Sequence, residues 1–204
     1  MTVDIAKSWD LALERTIEIL SKQYDDTLIA RFGVDSSRLD ADGIYLPPVT
    51  RWYRQAAPSR AQLLKPAHHV AGFIGPSSES RYSDVVAILD GGYGAVVQLP
   101  FAISIYFSDA LGRDVPDPSQ PGQVLDVEEI MLKRALRYLG ALIETLTRYG
   151  CHSEGIADVT PLSDFALGGE IDTVDQDGRT LRGVVMSEVL LAQEIIFPPQ
   201  TPLP

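Results

Sequence analysis

From Ala95 to Ser108 the chain reads AVVQLPFAISIYFS, and Val97, Leu99, Phe101, Ile103, Ile105 and Phe107 make every second position apolar. A period of two held this long predicts a β-strand. Pro100 sits inside the run and withholds a ladder N–H, which predicts an edge position or a bulge nearby. The alternate face, with Val96, Gln98, Ala102, Ser104 and Tyr106, is half-polar, so apolar packing is expected on one side of the sheet only.

Two segments carry helical periodicity. Between Thr2 and about Leu28, the residues Ile5, Trp9, Leu13, Ile17, Leu20, Tyr24 and Leu28 recur at spacings of three and four, with Thr2 as N-cap and Gly33 ending the pattern. Between Asp126 and Tyr149, the residues Leu132, Ala135, Leu136, Leu139, Leu142, Ile143 and Leu146 form a stripe. Of these, Leu132, Leu136, Leu139, Ile143 and Leu146 are expected to face inward, with Lys133, Arg134 and Arg137 on the outer surface. Asp126 and Glu129 resemble a capping box, and Gly150 stands where a left-handed terminal residue belongs.

The stretch 34–94 is rich in breakers, with Pro47-Pro48, Pro58, Pro66, Gly72, Gly75-Pro76 and Gly91-Gly92. Short strands are expected at Ile44–Leu46, Val70–Ile74 and Val85–Leu89, and the whole stretch reads as a loop-rich insertion or arm. Ser108–Gln123 is polar and breaker-rich, the text of a mobile or partner-ordered loop. Strand text returns at Glu170–Val174 and Leu181–Phe197 around a turn at Asp175–Gly178 whose Asp-Gly pair signals a hairpin. The pattern predicts an α+β domain over 1–204: a mainly antiparallel sheet packed with an amphipathic helix, an N-terminal helix, a core over 95–197 and a Pro-rich tail over 198–204.

With 204 residues, 45% of them hydrophobic, the chain has enough apolar material for its own core. A formal charge of −11 argues against a dedicated, sequence-specific nucleic-acid binder. The single cysteine, Cys151, allows no intramolecular disulfide and suits a reducing compartment. No run reaches the roughly 18 apolar residues of a membrane helix, and no membrane partner is expected.

The charge is uneven. Between Gly43 and Ser78 there is no Asp or Glu, while Arg51, Arg54, Arg60, Lys65, His68 and His69 fall there; from Gly91 onward 16 acidic residues face 7 basic ones. Arg51, Trp52 and Arg54 join charge to an aromatic ring, a composition that suits contact with a partner surface.

Spacing argues against the chemistries tested. His68, His69, Cys151, His152 and Glu154 match no zinc pattern, and the twelfth position counted from Asp172 is Gly183 where a calcium loop needs Glu. Gly91-Gly92-Tyr93-Gly94 precedes a strand instead of following one, so it does not match a dinucleotide turn. No catalytic, cofactor-binding or metal-ligating residue is expected, and no cofactor.

The order FAISIYFSD, then LKRALRYLGALIETLTRYG, then EIDTVDQDGRTLRGVVMSEVLLAQEIIF, which spans about the last half of the chain, resembles the tail-terminator (tail-completion) family of tailed-phage neck and tail proteins. The resemblance lies in the order of elements. It implies a virion protein, assembled in the host cytoplasm, that forms a hexameric homo-oligomer ring joining tail tube to head and meets other neck and tail proteins. A lumen that passes DNA benefits from an acidic lining, and Glu154–Glu194 holds nine acids against Arg179 and Arg182. Arg51, Trp52 and Arg54 are then expected interface residues. So are Val189 and Leu191, in a final strand apolar on both alternations and read as an assembly edge. A binding module docking through its basic island, and a small enzyme using His68, His69 and Asp84, are the alternatives.

Overall fold

The computed structural model describes residues 5–55, 70–76, 85–88, 92–108, 114–150, 164–176 and 179–197. Two helices, α1 (Ile5–Phe32) and α2 (Val127–Thr145), accompany six strands: β1 (Trp52–Arg54), β2 (Val70–Pro76), β3 (Val85–Ile88), β4 (Gly92–Ser108), β5 (Asp164–Gln176) and β6 (Arg179–Phe197). The strands form one sheet in the order β1-β2-β4-β6-β5, with β3 against the far end of β4. Only β1 on β2 is parallel, so the α+β architecture with a mainly antiparallel sheet is the one the pattern predicts. Among the described residues, no helix is long and apolar enough to cross a membrane.

Three of the odd-numbered residues of the strand pattern, Ile103, Ile105 and Phe107, face a core. Ile103, Ile105 and Phe107 join Val70 and Ile74 of β2 against Leu20, Tyr24 and Leu28 of α1 and Met131, Tyr138 and Leu142 of α2. The other face is buried too, contrary to the expectation of one covered side: Ala71, Phe73, Ser104 and Tyr106 are all buried. Aromatic rings make the difference, since Tyr53 stacks on Phe73 at 5.2 Å and Tyr106 meets Phe73 edge-on at 5.8 Å.

Pro100 lies one residue beyond the last β2–β4 pair, Pro76 with Phe101, where β4 has lost its partner on that side. A missing donor is tolerated there in the middle of a 17-residue strand. The expected bulge is present: the register of β4 on β6 shifts between Phe101 and Ile103, and that of β5 on β6 between Phe165 and Gly168. Both irregularities fall opposite β6 residues 186–189. The sheet therefore bends along one line across three strands.

Three expectations need correction. The stretch 34–94 is not merely an arm: Ile44, Leu46, Val70 and Ile74 are buried in the core that α2 shares, β2 being an inner strand, while the bridged pair Leu39 and Tyr45 stays exposed. Residues 114–125 fold back through a Pro116–Val124 bridge and place Val115 and Leu125 in the core, whereas Ser108–Gln123 reads as mobile; Asp117 pins the tip by accepting from the Ser119 amide and hydroxyl. On α2, Leu146 is buried and Leu139 and Ile143 pack against the core as expected, but Leu132 and Leu136 are exposed and Arg134 is buried, the reverse of what is expected of those three.

The helix ends follow their caps. Asp126 accepts from the Glu128 amide at 2.7 Å, while Glu129 turns to Lys133, so the cap forms without the reciprocal half of the box. α1 runs four residues past Leu28 to Phe32, and Leu146–Gly150 closes α2 as a π-turn. Gln176 pairs with Arg179, the register an Asp-Gly connection demands.

Candidate functional site

The residues expected at an interface are dispersed. Arg51 is exposed beside β1, its guanidinium 4.9 Å from the centre of the Tyr53 ring. Arg54 pairs with Glu14 of α1. Trp52 has its ring half-buried against the core, where it meets Tyr24 edge-on at 5.5 Å. Its seat is Gly72, directly opposite in the parallel ladder.

Val189 and Leu191 both lie on β6. β6 is an inner strand with β4 on one side and β5 on the other, and Val189 pairs with both Phe101 and Phe165. The long edge belongs to β5. Among the described residues, Leu191–Phe197 pairs only with β4, since β5 stops opposite Leu190.

That arrangement leaves a ribbon. From Leu99–Leu191 to Tyr93–Phe197, β4 and β6 run on past β2 and β5 as a pair, joined at its far end by β3. At 3.4 Å per residue it reaches roughly 25 Å beyond the bend. Between Val96 and Pro100 neither strand has a second neighbour among the described residues, so both of its backbone edges are open there.

The densest polar cluster holds the 38–47 segment across α2. Arg137 donates to Asp40 at 3.2 Å and Asp42 at 2.9 Å, and Lys133 pairs with Asp42 at 3.6 Å and Glu129 at 3.0 Å. The Glu129 hydrogen bond, aided by Asp42, raises the Lys133 pKa. Asp40 in turn accepts from the Asp42 and Ile44 amides, which fixes the turn. Tyr138 donates to the Pro47 carbonyl at 2.8 Å, and Tyr24 donates to the Tyr138 carbonyl at 3.1 Å. Burial pushes both phenols well above their ordinary range, so both stay neutral donors.

Arg134 is the residue the sequence misplaces most. It is fully buried; Nε donates to the Tyr45 carbonyl at 3.0 Å, one terminal nitrogen contacts Met131 sulfur at 3.6 Å, and the other has no partner. Burial lowers its pKa. The cluster binds segments together and pairs no nucleophile with a base.

Among the described residues no group of three His, Cys, Asp or Glu is placed to hold a metal ion. His68, His69, Asp84, Cys151, His152 and Glu154, together with Arg60 and Lys65 of the basic island, lie outside the described residues. No protein-family model matches the chain, and no curated protein matches it.

Proposed function

We propose that the chain is a structural subunit of a tailed-phage neck or tail, a tail terminator whose copies close into a hexameric ring between tail tube and head and meet other neck and tail proteins. The observation that carries the reading is the β4–β6 ribbon, whose backbone edges at Val96–Pro100 and Leu191–Glu194 have no second strand beside them among the described residues. A strand edge of this kind invites a strand from an adjacent copy, and repeating that contact around an axis gives a closed ring. Nine acids in Glu154–Glu194 suit a passage that DNA must cross without sticking. The ring is assembled in the host cytoplasm and carried into the virion.

The test is truncation. A chain ending at Leu190 keeps every pair of β1, β2 and β5 and is expected to hold its circular dichroism while losing ring particles in electron micrographs. Rings formed by the folded, truncated chain contradict the reading.

A further inference from the structure

α2 is apolar on two faces. The buried face is described above; the other is a seam of Leu132, Leu136, Leu139 and Ile143, spaced four, three and four residues apart. That is the alternation of a and d positions in a heptad. Leu132 and Leu136 are 43% and 49% exposed, while Leu139 and Ile143 are half-buried with their inner sides on the core. A single exposed leucine is ordinary, but a heptad seam of four apolar residues is the mark of a helix that packs on another helix.

Three features say which helix. The spacing reads the same in both directions, so a second copy laid antiparallel sets Leu132 against Ile143 and Leu136 against Leu139 about a two-fold axis. A hollow of about 370 Å³, lined by Arg31, Gly140, Ile143, Glu144, Thr147 and Arg148, lies at the Ile143 end, the level that meets Leu132 of the second copy. The ends of the helix also carry opposite charge. Glu128 and Glu129 are exposed in the first turn, and Arg148 is exposed beyond the last with no ion pair among the described residues. Antiparallel packing brings each acidic turn to the other copy's Arg148 and opposes the two helix dipoles favourably.

We propose that the chain forms a two-fold dimer in which α2 packs antiparallel on α2 of a second copy through Leu132, Leu136, Leu139 and Ile143, with each Leu132 entering the hollow beside the other's Ile143. A single helix pair buries less than the ~1,200 Å² of a standard interface, so the dimer is weak and concentration-dependent. A two-fold contact closes on itself and cannot propagate around a ring. This surface is therefore separate from the ribbon, and the dimer stands whether or not the ring does.

The test uses the intact chain carrying Cys151→Ser. Sedimentation equilibrium is expected to show a two-fold association step, of single chains or of closed rings, with Leu136→Glu raising its dissociation constant about tenfold or more and leaving the thermal melt unchanged; Leu132→Gln is the second variant if Leu136→Glu fails to fold. Orientation is read by mixing Leu136→Cys with Leu139→Cys chains under mild oxidation, where the mixed disulfide is expected to dominate. Reversing one charge with Glu129→Arg or Arg148→Glu weakens the dimer, and combining them restores it. Association unaffected by Leu136→Glu and Leu132→Gln, a monomer at every concentration, or a predominance of same-site disulfides overturns the proposal. Absence of rings alongside a Leu136-dependent dimer leaves it intact and removes only the assembly reading.

Discussion

Gly72 is the floor beneath Trp52: a β-carbon built on Gly72 would stand 2.1 Å from the indole ring. The two residues are paired in the parallel ladder of β1 and β2, and the indole lies in the space the glycine leaves. The absence of one side chain thus ties the short edge strand, and the charges beside it, to the core. Gly72→Ala must displace Trp52, and overpacking of this kind costs about 1–3 kcal/mol. Denaturant unfolding followed by tryptophan fluorescence is expected to show a lower midpoint; an unchanged midpoint would mean that Trp52 is not seated there.

The two faces of α2 are expected to respond differently to truncation. Leu142 is fully buried, so Leu142→Ala costs roughly 2–5 kcal/mol as a core cavity. Leu136 is exposed in the subunit, so Leu136→Ala changes monomer stability by no more than about 0.5 kcal/mol. Equal losses at the two sites, measured below the concentration of self-association, would reverse the assignment of faces.

That contrast shows why the helix was legible in the sequence and its orientation was not. Periodicity locates α2, its Asp126 cap and, through Ala135, Leu142 and Leu146, part of its core face, but it also selects Leu132 and Leu136, which lie outside. The rest of the buried face includes Ala141, Thr145, Tyr138 and Arg134, whose small size or polar tips conceal it in a hydropathy pattern. Ala135 and Ala141 allow close approach, while Tyr138 and Arg134 reach backbone carbonyls on the 38–47 segment. The alternation in β4, the bulge beside Pro100 and the Asp-Gly hairpin were legible because they are local. The central place of β2 was not, since Gly72 and Gly75-Pro76 read as breakers and only the fold shows Gly72 making room for an indole. Likewise the doubly apolar β6 reads as a strand, and nothing local placed it between β4 and β5 in the sheet.

Arg134 carries a buried charge with one nitrogen unpartnered, so Arg134→Met is expected to leave stability within about 1 kcal/mol of the original or to increase it. Arg134→Ala removes the same charge and also leaves a cavity, and it is expected to cost more than Arg134→Met. Thermal melts of the two variants check the order; a large loss with Met would show that the guanidinium stabilises the 38–47 segment beyond its cost of burial.

Alkaline pH should be destabilising. Tyr24 and Tyr138 have pKa values raised by burial, so the folded chain keeps two phenolic protons that the unfolded chain releases near pH 10. Stability from this source is whole below that pH and falls as pH rises toward the folded values, by up to about tenfold in the unfolding constant per pH unit for each tyrosine. Tyr138→Phe is expected to flatten the slope above pH 10, at the cost of the hydrogen bond to Pro47. An unaltered slope contradicts the burial of that phenol.

The assembly reading is tested most directly by the mass of the intact chain in solution, measured by native mass spectrometry with parallel electron microscopy. The expected result is a closed six-copy particle with a central opening, formed also by Leu136→Glu because the ring does not use the α2 seam. A chain that never exceeds a dimer across concentration and salt contradicts it.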